Sequence, residues 1–268
     1  PTHKITILRC REISLTHNSI PTQWPERAQR QYPKISKLRK NLPVNTGDPL
    51  TLVKQLMKNR KCSFSLKPVS PEIVAKIIKG LKNTKTCGLD NIDSYIIKLA
   101  EHELLPAITH IINLSINQKC FPDLYKCAKV VPLHKKEEKL NPKNYRPVAL
   151  LPLCSKILEK AIFLQVIQYL EENDLLHPSH HGFRSCHSTA TSILQMYDTW
   201  IEASDRNEIS AVVMLDMSAA FDVVDPTILL NKMKLYGFDA LSIKWFHNYM
   251  TVSYTHLRAH ETPEHLVC

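Results

Sequence analysis

Two hydrophobic periods run along this chain. After Ser70-Pro71-Glu72, apolar residues Ile73, Val74, Ile77, Ile78 and Leu81 recur at helical spacing. A capping serine, a first-turn proline and a first-turn acid make this a helix that closes near Gly80. A turn holding Gly88 and Asp90 precedes a short helix over 95–100, and a longer one is predicted over 104–118. Phe121-Pro122 then breaks the chain. Residues 128–136 and 145–152 read as two strands around a polar loop, a hairpin with lysines at its end. A further helix is predicted over 155–173, with Leu158, Ile162, Val166, Tyr169 and Leu170 on one face. Ser188 is placed to cap another helix. Its stripe of Ala190, Ile193, Leu194, Tyr197, Trp200 and Ile201 reads as core rather than as a stacking platform. Residues 211–215 form a short, β-branched-rich apolar run, predicted as a buried strand that ends on Asp216. Asp225-Pro226 opens a helix that Gly237 ends, and Ser242 is predicted to open the last one, containing Trp245, Phe246 and Tyr249.

The first 61 residues differ. Pro21, Pro25, Pro33, Pro43 and Pro49 interrupt any long period, so the segment reads as irregular. Its basic stretch over 27–40 fits equally a short phosphate-contacting helix and a solubilising linker.

Charge follows the same division. Residues 1–61 hold 13 Lys/Arg against 3 Asp/Glu, and the remainder holds 22 of each, so the net charge of +10 belongs to this arm. Within the neutral body, residues 119–160 carry ten basic and four acidic residues, and 198–225 carry seven acidic and one basic. A basic segment followed by an acidic one suits a polyanion whose phosphates meet lysines and whose reacting end meets carboxylates. A solvated charged face has the same composition. The eight cysteines include no Cys-x-x-Cys pair, which points to reduced thiols in an intracellular protein, nuclear or cytoplasmic. The cluster of His177, His180, His181, Cys186 and His187 matches no usual zinc spacing. There is no run of 18 apolar residues and no secretory signal, so no membrane partner is expected. Five glycines are few, and each is expected to mark a backbone need. The start at Pro1 reads as that of a fragment.

Asp216, at the tip of a buried strand, is the strongest chemical candidate. A carboxylate held there rigidly can bind a divalent cation, and it can equally cap the next turn. Asp222 lies six residues on, behind Phe221.

Several phrases stand together in order: Gly-Leu-Asp-Asn-Ile at 88–92, Phe-Pro at 121–122, Pro-Leu-His-Lys-Lys at 132–136, Asn-Tyr-Arg-Pro at 144–147 and Ser-Lys-Ile-Leu-Glu at 155–159. Gly-Phe-Arg at 182–184, Ser-Thr at 188–189 and Leu-Asp-Met-Ser-Ala-Ala-Phe-Asp at 215–222 complete the set. Over roughly residues 64–250 this series resembles the reverse transcriptase of non-LTR (LINE-type) retrotransposons. The resemblance implies an α+β, helix-rich right-hand polymerase fold, represented by fingers and a partial palm. Residues 1–61 would be a basic linker or arm and 62–150 an N-terminal extension and fingers. Residues 151–250 would be fingers and the start of the palm with its first metal-binding motif.

The implied activity is RNA-directed DNA polymerisation, with an RNA template, a DNA primer or target, and deoxynucleoside triphosphates as partners. Asp216 would be a catalytic, metal-binding aspartate of a two-ion Mg²⁺ site, the ions about 3.5–4 Å apart. Phe221 would be the gate that clashes with a 2′-hydroxyl. Lys135 or Lys136 and Arg146 would line the triphosphate, and Gly182, Phe183 and Arg184 would meet nucleic acid. Position 181 is His where relatives often carry Gln. An aromatic-x-Asp-Asp turn would complete the metal site, and the sequence contains no Asp-Asp. Residues 252–262 resemble a translated sequencing-library adapter, so residues 251–268 read as a non-native tail and the chain as an inactive fragment of its parent. A non-catalytic nucleic-acid-binding remnant is the alternative.

Overall fold

A computed structural model describes residues 13–15, 48, 50–134, 145–215 and 224–251. In chain order they form β1 (Ile13–Leu15), α1 (Thr51–Met57), α2 (Pro71–Lys79), α3 (Ser94–Leu99) and α4 (Glu101–Gln118). A single 3-10 turn (Asp123–Lys126) leads to β2 (Ala128–His134) and β3 (Tyr145–Leu150). Four helices follow: α5 (Leu153–Glu172), α6 (Thr189–Asp205), α7 (Pro226–Leu235) and α8 (Ala240–Met250). The protein is helix-rich with few strands, as the periodicity predicts.

The core gathers where helical periods meet. Val74, Ile77 and Ile78 of α2 face Ile108, Ile112 and Ile116 of α4 and Ile157, Leu158 and Ile162 of α5, all buried. Removing each such side chain from water stabilises the fold by about 1.5–3 kcal/mol. At one end of this layer α8 inserts Trp245, whose ring stacks on Tyr249 (centroids 5.5 Å apart) and meets Phe121 edge-on at 5.7 Å. Its indole N–H donates to Ser115 Oγ at 3.0 Å, and Ser115 donates to the Cys120 carbonyl at 2.7 Å, so both buried polar groups are satisfied.

Residues 64–69 form an extended strap across the helices. Phe64 pairs with Phe238 as an isolated parallel bridge: its N–H donates to the Gly237 carbonyl (2.8 Å), and its carbonyl accepts from Asp239 N–H (2.9 Å). Beyond Phe64, side chains take the place of a partner strand. Leu66 N–H donates to Ser242 Oγ (2.9 Å). The Gln165 amide bonds both Lys67 N–H and C=O, each at 2.9 Å, and the Asn113 amide bonds both groups of Val69, at 2.7 and 2.9 Å. A primary amide has the same donor and acceptor as a peptide, which is why it can satisfy an extended segment that has no sheet.

Two glycines serve this packing. Gly237 has φ +86°, and a Cβ there would overlap the Cys62 carbonyl. A Cβ at Gly88 would lie 2.6 Å from Pro152 N, so the 88–91 turn can sit against the end of β3 only as glycine. Gly182 has open space around it and an ordinary φ, so the expectation that every glycine marks a backbone need fails there.

Four other expectations are corrected. Residues 211–215 are not a strand. No strand pairs with them among the described residues, and Val213, Met214 and Leu215 are more than 80% exposed. An apolar run needs both a ladder partner and a covering layer to become a buried strand, and here it has neither. The α6 stripe is likewise not core: Ile193, Leu194, Tyr197 and Ile201 are exposed, and Ala203 is the helix's one buried residue. The first 61 residues are not wholly irregular, since they hold β1, parallel to β2 with Ile13 opposite Ala128, and α1, which packs on α7. The 27–40 stretch lies outside the described residues. Finally, α8 is opened by Asp239, whose carboxylate accepts from Ser242 N–H at 2.7 Å; Ser242 is buried in the first turn instead.

Candidate functional site

β2 and β3 form the predicted antiparallel hairpin, with Lys129 opposite Leu150 and His134 opposite Tyr145. Pro132 faces Pro147 in this register. Neither has an N–H to give, so the pair is tolerable only where antiparallel strands make no mutual bonds. The flanking pair Leu133 and Arg146 is then a bonded one, which fixes the Arg146 backbone one residue pair from the loop end. The Arg146 side chain lies outside the described residues, as do Lys135 and Lys136, the next two residues in sequence after β2. Asp216, Asp222 and Phe221 also lie outside them. Their roles are therefore matters of proposal.

Gly182, Phe183 and Arg184 are described, in the loop between α5 and α6. Arg184 is turned inward, 18% exposed, with Nε 3.8 Å from Glu171 Oε1 and Nη1 3.5 Å from the His180 carbonyl. These contacts anchor the loop to the last turn of α5. Phe183 sits at φ +60° with its ring half-exposed, and Cys186 repeats that φ. Two left-handed non-glycine residues within four positions are a concentration of backbone strain of the kind found at functional loops.

His181 ties the loop to α6. Its Nδ1 lies 3.0 Å from Thr191 Oγ1 and its Nε2 2.7 Å from Gln195 Oε1. Ser188 and Thr191 form a reciprocal capping box at the same place. The capping serine was legible in sequence; the histidine clasp was not, because its partners lie 10 and 14 residues away and one helical turn apart.

At the root of the hairpin, burial pushes the Cys154 thiol up, and burial, together with Cys154 itself, pushes the Tyr125 hydroxyl up. Both stay protonated near neutrality, and Cys154 is a packing thiol rather than a nucleophile. Among the described residues no three His, Cys, Asp or Glu side chains converge to hold a metal ion. No described helix is long and apolar enough to cross a membrane.

This is a helix-rich α+β protein in which one hairpin and one strained loop carry the candidate chemistry. It belongs to the reverse transcriptase (RNA-dependent DNA polymerase) family, which it matches over residues 133–268. That family comprises nucleotidyltransferases that generally use divalent metal ions. The chain is 30% identical over 174 residues to a probable RNA-directed DNA polymerase from transposon BS of Drosophila melanogaster, 64% of this chain and 19% of that protein. It is 28% identical over 172 residues to the corresponding X-element protein of the same species, 63% and 19% of the two chains. Identity is 29% over 173 residues to the RNA-directed DNA polymerase from the mobile element jockey, again 64% and 19%. The resemblance to non-LTR reverse transcriptases thus holds. The chain spans about a fifth of the length of the curated relatives it matches.

Proposed function

We propose that this chain is the fingers and the beginning of the palm of a right-handed polymerase, one that copies an RNA template into DNA for a non-LTR element. The reading is supported by the family match over 133–268, which takes in the end of β2, β3, the strained loop and the Asp216 motif in one stretch. In this reading Lys135, Lys136 and Arg146 hold the triphosphate oxygens of an incoming deoxynucleotide at the hairpin loop. Arginine contributes a planar fork and lysine a point charge. Phe183 offers a ring against which a base can stack, and Gly182, with open space around it, lets a backbone approach; Arg184 acts through loop anchoring rather than by direct contact. Phe221 excludes a 2′-hydroxyl. Asp216 is the metal-binding carboxylate, and bound Mg²⁺ would supply charge neutralisation at the phosphates. Residues 1–61, which carry the chain's excess of positive charge, serve as a basic linker or arm. The protein works inside the cell, where its nucleic-acid partners are.

The test is primer extension by a polypeptide carried through to the length of the relatives. Asp216→Ala should abolish extension on an RNA template while template affinity stays within about twofold. Extension retained by that variant would remove Asp216 from the catalytic role. Template binding that is insensitive to salt would remove the phosphate contacts.

A further inference from the structure

The loop between α5 and α6 is tied to both helices, on either side of Phe183. On one side stands His181. The Thr191 hydroxyl already donates to the Ser188 carbonyl (2.9 Å) and accepts from Ser188 N–H (2.8 Å), so its remaining lone pair accepts from His181 Nδ1–H at 3.0 Å. Nε2 lies 2.7 Å from Gln195 Oε1, and that amide offers its oxygen to the charged ring or, turned over, an N–H to the neutral one. The tie therefore holds in either protonation state.

On the other side stands Arg184, with its side chain 18% exposed. Its Nε is enclosed and has no hydrogen-bond partner among the described residues. Glu171 Oε1, 3.8 Å away, is the carboxylate that faces it. A guanidinium withdrawn from water is tolerable while an opposite charge stands beside it and unfavourable once that charge is removed. Without Glu171, Arg184 would turn toward solvent and carry the adjoining chain with it. Between the two ties lie only Gly182 and Phe183. Phe183 is held at φ +60°, a conformation that an unrestrained phenylalanine leaves for negative φ, and it is 47% exposed.

We propose that Glu171 and His181 are positioning residues, which act through the two ends of this short span to keep the Phe183 ring presented at the surface. The inference rests on the reading of that ring as one on which a base stacks. A planar ring held in one orientation loses little freedom when a base arrives, whereas a ring on a relaxed loop must first be ordered. The sign of the Glu171 effect separates this role from simple charge. Removing a carboxylate from a protein that binds a polyanion should tighten binding by electrostatics alone. Removing it as a tie should weaken binding.

Binding of a short fluorescent oligoadenylate RNA to the full chain, read by anisotropy, tests this without reference to catalysis. Phe183→Ala should weaken binding about fivefold or more. Glu171→Gln and His181→Ala should each weaken it about threefold or more, and neither should add to the loss when combined with Phe183→Ala. Independently of RNA, tryptic cleavage after Arg184, followed by fragment mass, should run about tenfold faster in both variants, with the thermal midpoint of the core unchanged. Thr191 also belongs to the α6 capping box, so if His181→Ala disturbs the start of that helix, Gln195→Ala leaves the box intact and gives the answer. Glu171→Gln binding that is unchanged or tighter, while Phe183→Ala weakens it, overturns the proposal. Losses that add in full to that of Phe183→Ala overturn it too, as does an unaltered cleavage rate. A Phe183→Ala variant that binds like the unmodified chain removes the stacking reading alone, and the cleavage rates then decide the two ties by themselves.

Discussion

The aromatic end of the core and α6 are both rich in apolar side chains, yet they end in opposite states. Around Trp245 every large ring has neighbours, and every buried polar atom described there has a partner supplied by another element: Ser115 for the indole, Asn248 for Phe121 N–H at 2.7 Å. On α6 the corresponding side chains point outward and its polar bonds run to its own turn and loop. Hydrophobicity thus selects which residues seek burial, and the polar contacts decide which elements are held together to provide it.

Trp245→Ala should produce the largest loss, about 3–5 kcal/mol by chemical denaturation, because it opens a cavity and leaves Ser115 without its donor. A loss under about 1 kcal/mol would erase the contrast between the two regions. Gly237→Ala should cost about 1–3 kcal/mol through positive φ and the clash with Cys62, and it should loosen the strap selectively, read as faster exchange at Phe64 and Asp239 amides. Asn113→Ala should cost about 1–3 kcal/mol, since both Val69 backbone groups lose their partner. An unchanged midpoint would mean that the amide is dispensable to the strap.

The Asp239 cap has a pH signature. Burial raises its pKa, but hydrogen bonds from Ser242 outweigh that and hold the carboxyl below the usual aspartate range. A depressed folded value gives stability that is complete above the unfolded value, about 4, and is lost as pH falls through the folded one. Asp239→Asn keeps a capping acceptor and should remove that part of the acid dependence; a profile identical to the unmodified chain would assign the dependence elsewhere. The smallest effect belongs to Ile193→Ala on α6, about 0.5 kcal/mol or less on unfolding of the core. A core-sized loss there would place α6 inside the packed unit.

Much of this architecture was readable from periodicity and end signals: Ser70-Pro71, the Phe121-Pro122 break, the hairpin, the Ser188 cap and the Asp225-Pro226 start all stand where the residue types put them. What escaped the sequence depends on distant partners. β1 is three residues whose strand character exists only through parallel pairing with β2. Asn113 and Gln165 look like solvent positions on helical wheels, yet they bond a segment 44 and 98 residues away. Asp239 and Ser242 are both good caps, and only the need of Leu66 N–H for a hydroxyl separates their roles. The α6 stripe and residues 211–215 fail for a related reason: a pattern reports a face that favours burial and is silent about what arrives to cover it. The candidate site divides the same way. Its order of motifs was legible, and the inward anchoring of Arg184 was not, because Glu171 belongs to the preceding helix.

The strap also sets a timetable for the nascent chain. Leu66 waits for Ser242, 176 residues later, and Phe64 for Gly237. At about 5–20 residues per second, synthesis must run on for roughly 10–35 s before those partners exist. Through that interval α2, α4 and α5 can assemble from local contacts, but Phe64 and Leu66 stay uncovered. The N-terminal part of this core is made early and sealed last, so its exposure to chaperones and proteases is governed by how quickly the ribosome reaches α8.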